Sequence, residues 1–281
     1  MNIYNAIKEG SKVLKENNIK FSDLDCEILL AKVLKKKRKY LILNLDKPLN
    51  RKNLEIYKNL VKQRSNGKPV AYLTKKKDFW NSEFIIEEGT LIPRPDTEVL
   101  VEATLELFKN KEYANILDVG VGSGCIILSI LKEKPHFYGK GIDISHKSVG
   151  LSELNAKKLS LENRVRFIKT DVDNFCNGKY DLVVSNPPYI NSAKINYLEK
   201  DVKSFEPKLA LDGGLDGTFK TLKIIKKAST LLKSNGKLIL EIGYDQKFRI
   251  TSLLKKNGFY INNIIKDYAN NDRCVISTKI N

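Results

Sequence analysis

Residues 115–124 read Asn-Ile-Leu-Asp-Val-Gly-Val-Gly-Ser-Gly, and this stretch decides the fold class of the chain. Its apolar first half predicts a buried strand, and the mostly apolar residues 125–131 predict a buried helix. Three alternate glycines let the backbone turn tightly between the two and let a ligand approach it closely. A plain connection between a strand and a helix is the alternative explanation. Strand, glycine-rich turn and helix in this order indicate the first unit of an α/β protein.

The same alternation continues through the rest of the chain. Further strands are expected near 137–143, 165–170, 180–185 and 237–242, with helices near 218–233 and 246–257. Two final apolar runs, 260–265 and 273–278, predict an antiparallel hairpin at the sheet edge. The pattern therefore predicts a mostly parallel, seven-stranded sheet with helices on both faces.

Polar residues follow three of the predicted strands, and the glycine-rich turn follows a fourth. Asp143 lies nineteen residues after Gly124, and Asp171 and Asn186 follow the next two strands. An acidic residue at about the offset of Asp143 is where an α/β unit holds ribose hydroxyls. Asp171 is equally suited to capping the end of its strand. Ligands of such sheets bind at the carboxyl ends of the strands, so a site is expected where these residues meet.

Residues 186–189 read Asn-Pro-Pro-Tyr and directly follow an apolar strand. The Asn186 side-chain oxygen and the Pro187 carbonyl offer two hydrogen-bond acceptors, and Tyr189 offers a flat ring. Together they suit a planar amide or amino group, which has two N–H donors. A strand-ending turn is the alternative, because Asn and Pro are common in turns.

The glycine spacing differs from that of dinucleotide-binding proteins, in which the third glycine comes one residue later. With Asp118 before it, the stretch resembles the first motif of class I methyltransferases that use S-adenosylmethionine (SAM). This resemblance favours SAM over NAD and implies a set of cofactor-binding residues: Gly120, Val121, Gly122, Ser123, Gly124, Asp143, Asp171, Val172 and Asn186.

The first third of the chain predicts a small helical domain. Apolar spacing indicates three helices, of which the second opens at Ser22 as its cap with Leu24 buried, and the third follows Asn50. Residues 79–86 predict a β-hairpin with its turn near Asn81-Ser82, and a helix is expected over 99–108. The expected domains are a helical domain over 1–74, a linking hairpin over 75–93 and a methyltransferase domain over 94–281.

Charge is concentrated in the helical domain. The whole chain carries +17, and residues 1–80, with 20 Lys/Arg and 8 Asp/Glu, account for +12. The basic run at residues 35–39 is the densest cluster. Such a surface favours nucleic acid or an acidic protein as partner, although a lysine-rich composition with solvated helix faces explains it equally well.

Several stretches together resemble the peptide chain release factor glutamine methyltransferases over essentially the whole chain. They are residues 67–74 (Gly-Lys-Pro-Val-Ala-Tyr-Leu-Thr), Phe79-Trp80, residues 91–98 (Leu-Ile-Pro-Arg-Pro-Asp-Thr-Glu), Phe205-Glu206-Pro207 with residues 209–211, and Asp267-Tyr268 with Asp272-Arg273. The resemblance implies methyl transfer from SAM to the glutamine side-chain amide of the Gly-Gly-Gln motif in class 1 release factors.

The same resemblance implies substrate-binding residues: Asn186, Pro187, Pro188, Tyr189, Arg94 and Glu98, of which Asn186, Pro187 and Tyr189 are the expected catalytic set. Capping is the equal alternative for Arg94 and Glu98. Val172 departs from the family, which often has an aromatic residue there beside the adenine. A DNA or RNA amino-methyltransferase is the alternative function, but no recognisable nucleic-acid motif precedes residue 75. A non-enzymatic binding protein on the same fold is a weaker alternative.

Other classes are excluded by composition. The four cysteines lack Cys-x-x-Cys spacing, and neither they nor the two histidines form a metal-binding pattern, so no metal is expected. No apolar run approaches the ~20 residues of a membrane span. The first residues lack a signal-peptide core, so a cytoplasmic enzyme without membrane contact is expected. Weak RNA contact through the basic domain is left open.

Overall fold

The computed structural model describes residues 1–280, which form two compact units: residues 1–76 with 199–205, and residues 77–198 with 206 onward. The helices are α1 (Ile3–Glu16), α2 (Ser22–Leu34), α3 (Arg38–Ile42), α4 (Arg51–Ser65), α5 (Val70–Thr74), α6 (Glu98–Leu107), α7 (Cys125–Glu133), α8 (His146–Lys158), α9 (Lys200–Phe205), α10 (Phe219–Leu231) and α11 (Lys247–Lys256). The strands are β1 (Lys76–Phe79), β2 (Ser82–Ile85), β3 (Asn115–Val119), β4 (Tyr138–Asp143), β5 (Val165–Lys169), β6 (Tyr180–Ser185), β7 (Leu232–Glu241), β8 (Phe259–Lys266) and β9 (Asp272–Lys279). Short 3-10 helices lie at Pro95–Thr97, Val172–Asn174, Ser192–Tyr197 and Lys208–Ala210.

The first unit is a helical bundle with its own apolar core. The core is drawn mainly from α1, α2 and α4 and includes Ile3, Leu14, Leu29, Leu30, Leu41, Tyr57 and Val61. The side chains of Asn2 and Asn50 cap α1 and α4 by accepting the N–H groups of Asn5 and Asn53. These caps satisfy N–H groups that have no partner within the helix.

Two expectations about α2 were wrong. Ser22 is the first helical residue, Phe21 occupies the cap position, and no side chain caps this end. Leu24 is 39% exposed, while Cys26, Leu29 and Leu30 are fully buried. The buried face of α2 therefore includes the polar Ser22 and Asp25 in its first turn and excludes Leu24. The expected domain boundaries at residues 74 and 93 stay a prediction.

A seven-stranded sheet organises the second unit. Its strand order is β5-β4-β3-β6-β7-β9-β8. The first five strands in this order run parallel to one another, while β9 is antiparallel to both β7 and β8. This confirms the predicted mostly parallel sheet with an antiparallel C-terminal hairpin. Helices cover the sheet because parallel strands need crossover connections, which place helices on its faces.

Two element boundaries differ from the expectation. The hairpin of β1 and β2 turns at Trp80-Asn81, one residue earlier than predicted, and Trp80 has a φ of 49°. Strand β7 begins at Leu232, ahead of the expected Lys237, because Leu232 pairs with Tyr180 of β6 before an irregular polar stretch that ends at Lys237. Polar residues at a strand end carry no apolar signal, so sequence periodicity stops short of the true end.

One buried ion pair generates a stability prediction for the first unit. Arg64 Nε donates to Asp25 Oδ2 at 2.7 Å, with both side chains only about one-tenth exposed. Burial raises the pKa of Asp25 despite the opposing effect of Arg64. Arg64→Met leaves that carboxylate buried and unpaired, so we expect a loss of about 3 kcal/mol in the free energy of unfolding, measured by urea titration of the full chain.

Arg51→Met is the matched control, because Arg51 pairs with Glu55 on the exposed surface of α4. Its expected cost is below about 0.5 kcal/mol. Equal costs for the two substitutions would contradict a structural role of the buried pair.

Candidate active site

The chain reverses its direction of travel across the sheet between β3 and β6. After β3 it moves outward to β4 and β5, then returns to place β6 on the other side of β3. Such a switch point opens a crevice at the carboxyl ends of the two strands. A cavity of about 250 Å³ lies there and is lined by residues from the glycine-rich turn, the ends of β4 and β5, the Asn-Pro-Pro segment and residues 89–97.

The glycine-rich turn forms one wall of this cavity. Gly120, Gly122 and Gly124 all have positive φ, between 57° and 81°. A Cβ on Gly120 would meet no atom within 4 Å, so a side chain there would occupy open space at the cavity wall. Glycine is therefore needed both for the conformation and for the room.

Two buried side chains of α8 hold this turn from behind. Ser152 Oγ lies 3.0 Å from the Gly122 carbonyl and 2.9 Å from the Ser148 carbonyl of its own helix, which share its one proton. Asn155 Nδ2 donates to the Ser123 carbonyl at 2.9 Å. The Asn155 amide also pairs with both the N–H and the C=O of Ile85 in β2. Because the carbonyls are bound on the side of α8, the shape of the turn is fixed before any ligand arrives.

Asp143 lies at the end of β4 and faces the cavity. Its carboxylate accepts the N–H of Gly122 at 3.0 Å and that of Ser145 at 2.8 Å. Burial raises the pKa of Asp143, and these two N–H bonds oppose the rise. Two N–H bonds leave further acceptor capacity on the two oxygens, so the group can still bind a hydroxyl pair.

The segment after β5 contributes Asp171 and Val172 to the lining. Asp171 Oδ1 accepts the N–H of Asp173 at 2.9 Å and so caps the adjoining short 3-10 helix. Asp171 thus has the capping role that its sequence context allowed, and it also lies at the cavity wall. Val172 is partly buried and packs against the core of the sheet.

Asp118 lies in β3 directly before the glycine-rich turn and is fully buried. Among residues 1–280, no side chain bonds its carboxyl oxygens, and the approach of the Ile127 N–H falls short of full hydrogen-bond geometry. Burial raises the pKa of Asp118 to about 7 against the opposing effect of the Ile127 N–H, and the nearby negative charge of Asp143 adds to the rise. A buried carboxyl in this state is costly to ionise.

The amide of Asn186 has a fixed partner at the end of β6. Its Nδ2 donates to Thr97 Oγ1 at 3.1 Å, and Thr97 Oγ1 donates in turn to Glu241 Oε2 at 2.6 Å. The NH₂ end of the amide is therefore occupied, and the Oδ1 end is left to accept a hydrogen bond. Asn186, Pro187 and Pro188 all line the cavity.

Tyr189 turns away from this lining and is held by buried groups behind it. Its hydroxyl donates to Glu241 Oε1 at 3.2 Å, and Gln246 Nε2 donates to its backbone carbonyl at 2.9 Å. Arg273, which pairs with the buried Asp267, also approaches the Tyr189 hydroxyl. Burial raises the pKa of Tyr189, and the neighbouring Glu241 adds to the effect.

Arg94 and Glu98, predicted together, are separated by the structure. Arg94 lines the cavity and pairs with the buried Glu206, which also accepts the N–H of Ile92. Glu98 is not among the lining residues, and its Oε1 accepts the N–H of Trp80 at 2.8 Å. Gly124 likewise does not line the cavity and caps α7 instead.

Several supporting residues were missed in the sequence: Thr97, Ser152, Asn155, Glu241 and Gln246. Glu241 had a usable signal, because an acidic residue directly after the apolar run Leu238–Leu240 is expected to be buried and paired. The others are uncharged polar residues within helices or at their starts, where nothing in the local pattern distinguishes them. As for metals, residues 1–280 contain no group of three or more His, Cys, Asp or Glu side chains arranged to hold an ion.

Comparisons with known proteins agree with this architecture. A family described as the PrmC N-terminal domain matches residues 5–74, and one described as the methyltransferase small domain matches residues 96–216. A release factor glutamine methyltransferase of Clostridium acetobutylicum is 39% identical over 99% of both chains. One of Buchnera aphidicola subsp. Schizaphis graminum is 38% identical over 99% of this chain and all of its own.

A solved structure supports the fold alone. The ribosomal protein L11 methylase of Lactobacillus delbrueckii subsp. bulgaricus has a TM-score of 0.51 and 21% identity, and the match covers 73% of this chain and 90% of that one. Sheet order, switch-point cavity and glycine-rich turn therefore define the second unit as a class I SAM-dependent methyltransferase. With its full-length relatives, the chain belongs to the release factor glutamine methyltransferase family. None of the helices in residues 1–280 has the length and apolar character that crossing a membrane requires.

The residues at the cavity fit SAM as the methyl donor. The open space beside Gly120 admits a ligand against the backbone, and the Asp143 carboxylate retains acceptor capacity for ribose hydroxyls. Asp118 is buried beneath the turn, and a nearby cationic ligand would favour its charged form, whereas a pyrophosphate would oppose it. These features match a nucleoside that carries positive charge.

Asp118 generates a prediction about pH and stability. Its folded-state pKa of about 7 lies above the ordinary 3.8, so the folded chain keeps a proton that the unfolded chain has lost. The free energy of unfolding that Asp118 contributes is therefore lost as pH rises from about 4 to about 7, and the loss is roughly 4 kcal/mol. In ligand-free Asp118→Asn, we expect the free energy of unfolding to fall correspondingly less over that range than in wild type, measured by urea titration at each pH.

Asp181→Asn is the control. Burial acts to raise the pKa of Asp181, but hydrogen bonds from the Asn115 N–H and from Lys233 hold that pKa below its usual value. Asp181 therefore titrates below the range of pH 4 to 7. Its substitution should leave the slope between pH 4 and 7 unchanged. A slope in Asp118→Asn equal to that of wild type would contradict the assignment.

Proposed function

We propose that this chain transfers a methyl group from SAM to the side-chain amide nitrogen of the glutamine in the Gly-Gly-Gln motif of class 1 peptide chain release factors. Membership of the family supports the substrate. The observation that carries the chemistry is the Asn186 amide. Its NH₂ end is bound to Thr97, so its oxygen is presented as an acceptor at the cavity.

Two hydrogen-bond acceptors compensate for the low nucleophilicity of the substrate nitrogen. An amide nitrogen is a poor nucleophile because its lone pair is delocalised into its carbonyl group. The Asn186 Oδ1 and the Pro187 carbonyl accept the two N–H bonds of the substrate and orient the lone pair. As the nitrogen gains positive charge, both acceptors bind it more strongly than in the ground state, which lowers the barrier. No strong base is needed, because the methylated nitrogen then releases its proton readily.

The cofactor is held by the turn and by the ends of β4 and β5. When bound, SAM supplies a methyl group on a positively charged sulfur. Asp143 would accept hydrogen bonds from the ribose hydroxyls, and Asp171 would bind the adenine amino group. The backbone of 120–123 would hold the methionyl part and ribose, with Gly124 supporting the turn, and Val172 would provide an aliphatic contact in place of the aromatic residue often found in the family.

Other predicted residues act around the substrate. Arg94, held by Glu206, lines the approach to Asn186, and Pro188 packs against the flat amide. Tyr189, whose hydroxyl is bound to Glu241, supports the segment from behind the lining, and its ring can reach the amide only from that side. Glu98 shapes the approach indirectly, through its bond to the N–H of Trp80.

The first unit is proposed to recognise the release factor. Its excess of positive charge suits an acidic protein surface and would also attract RNA, because long-range electrostatic attraction acts on any negatively charged partner. Weak RNA contact through the basic run at residues 35–39 is therefore part of the proposal.

Methyl transfer from labelled SAM tests the substrate. The expected result is label on the Gly-Gly-Gln glutamine of unmodified release factor, located by peptide mass mapping, with none on DNA or ribosomal RNA in parallel reactions. Label on nucleic acid alone would overturn the substrate and leave the cofactor in place.

Substitutions separate acceptor from cofactor roles. Asn186→Ala should lower transfer by at least about a hundredfold, because the oriented acceptor is lost, while leaving SAM affinity largely intact. Asp143→Ala should weaken SAM affinity instead, measured by calorimetry.

Asn257→Ala is the control, since the side chain of Asn257 bonds the Leu253 carbonyl at the end of α11 and does not line the cavity. Wild-type transfer by Asn186→Ala would refute the acceptor role, and unchanged SAM affinity in Asp143→Ala would refute the ribose role.

A further inference from the structure

A buried carboxyl group at the end of β7 has no part in the chemistry described so far. Glu241 is 1% exposed and comes after three buried apolar residues. Burial raises the pKa of Glu241 to about 7, against the opposing effects of Thr97 and Arg273. A buried carboxyl costs stability unless its bonds compensate, so its contacts indicate its use.

Each oxygen of Glu241 binds a different part of the acceptor site. Oε2 accepts the hydroxyl of Thr97 at 2.6 Å, and Oε1 accepts the hydroxyl of Tyr189 at 3.2 Å. Thr97 accepts the NH₂ group of Asn186 at 3.1 Å. One carboxylate thus reaches both ends of the Asn-Pro-Pro-Tyr segment, at Asn186 through Thr97 and at Tyr189 directly.

The direction of these bonds is determined by the charge of Glu241. A carboxylate only accepts hydrogen bonds, so the single proton of the Thr97 hydroxyl must point toward it. The Thr97 oxygen can then only accept, and only the NH₂ end of the Asn186 amide can donate to it. Oδ1 of Asn186 must face the other way.

We propose that Glu241 is a positioning residue, which acts through Thr97 to hold the Asn186 amide with Oδ1 toward the substrate nitrogen and which anchors Tyr189 through its other oxygen. The inference rests on the proposed function, because it concerns the acceptor of that reaction. An inverted amide would present two donors to a nitrogen that needs acceptors.

The proton on Glu241 gives a readout that a purely structural role would not move. Protonated Glu241 can donate to Thr97, whose hydroxyl can then donate to Asn186 Oδ1 and allow the amide to invert. The other groups facing Glu241 are Arg273 and Cys274 of β9, Asp96 beside Thr97, Tyr189, and Cys125 of α7. Of these, Arg273 favours the charged form of Glu241 and Asp96 disfavours it. Wild-type kcat should therefore fall as pH is lowered through about 7.

Glu241→Gln tests this directly, because glutamine keeps the shape but can donate or accept and so does not fix the direction of the bonds. At saturating SAM and release factor, we expect kcat at pH 8 to fall roughly tenfold to a hundredfold, the scale of one bond to a charged group. SAM affinity should change by less than about twofold, and the loss of kcat below pH 7 should disappear.

Thr97 provides a second, independent pair of variants. Thr97→Val keeps the shape and removes the hydroxyl, and should match the loss of kcat in Glu241→Gln. Thr97→Ser restores the hydroxyl and should restore kcat to within about threefold. The double variant Thr97→Val with Glu241→Gln should be little worse than either alone, because both remove the same relay.

Thr104→Val and Asp181→Asn are the controls. Thr104 is a buried threonine of α6 that bonds only the Leu100 carbonyl, and Asp181 is a bonded carboxylate at the opposite end of the sheet from the cavity. Failure of wild type to methylate release factor would overturn the proposed function and this inference with it. An active wild type, with kcat and its pH dependence unchanged in Glu241→Gln, or with Thr97→Val as active as Thr97→Ser, would overturn the inference alone.

Discussion

Parallel pairing of β3 with β6 is the constraint on which the site depends. Their register aligns Ile116, Leu117 and Asp118 with Leu182, Val183 and Val184, so the two strands end side by side. The segments that leave the carboxyl ends of these strands are then brought together without any further requirement. The glycine-rich turn and the Asn-Pro-Pro-Tyr segment, some sixty residues apart in the chain, share one cavity for this reason. Sheet register therefore fixes the distance between the cofactor wall and the acceptor wall.

Rigidity of the two walls comes from polar side chains that lie behind the motifs. Ser152 and Asn155 bind carbonyls of the glycine-rich turn, whereas Glu241 and Gln246 hold the hydroxyl and the carbonyl of Tyr189. All four are buried. Hydrogen bonds shielded from water keep their geometry better than exposed ones, so such a second layer can hold reacting groups in place.

Sequence reasoning recovered what apolar runs encode. The strands that end at the site were placed within a residue or two because β3 and β6 are continuous buried runs, and their ends carried the residues that line the cavity. It failed where tertiary contacts override local pattern. Leu24 was expected in the core and is exposed, and the short helices α3, α5 and α9 were missed because a single turn has no periodicity.

The directions in which side chains point could not be predicted from the sequence either. Glu98 and Tyr189 lie next to cavity-lining residues in the chain, yet their polar atoms bond to Trp80 and Glu241. Adjacency in the chain says which residues are near a site, whereas the partners of a polar group depend on elements far away in sequence. Asn186 shows the same point, since the direction of its amide is set from β7 and not by its own tetrapeptide.

The two fully buried acids near the site, Asp118 and Glu241, lie in the strands that flank β6 on either side. Both have pKa values raised to about 7 by burial, so each destabilises the fold when it ionises near neutral pH. Apolar residues at these two positions would fold at lower cost, because a buried carboxyl gains little from an apolar core. Local rules are most often broken where a site requires it. The placement of both acids beside the acceptor strand therefore argues that their charge serves the cavity, one beneath the cofactor turn and the other behind the acceptor amide.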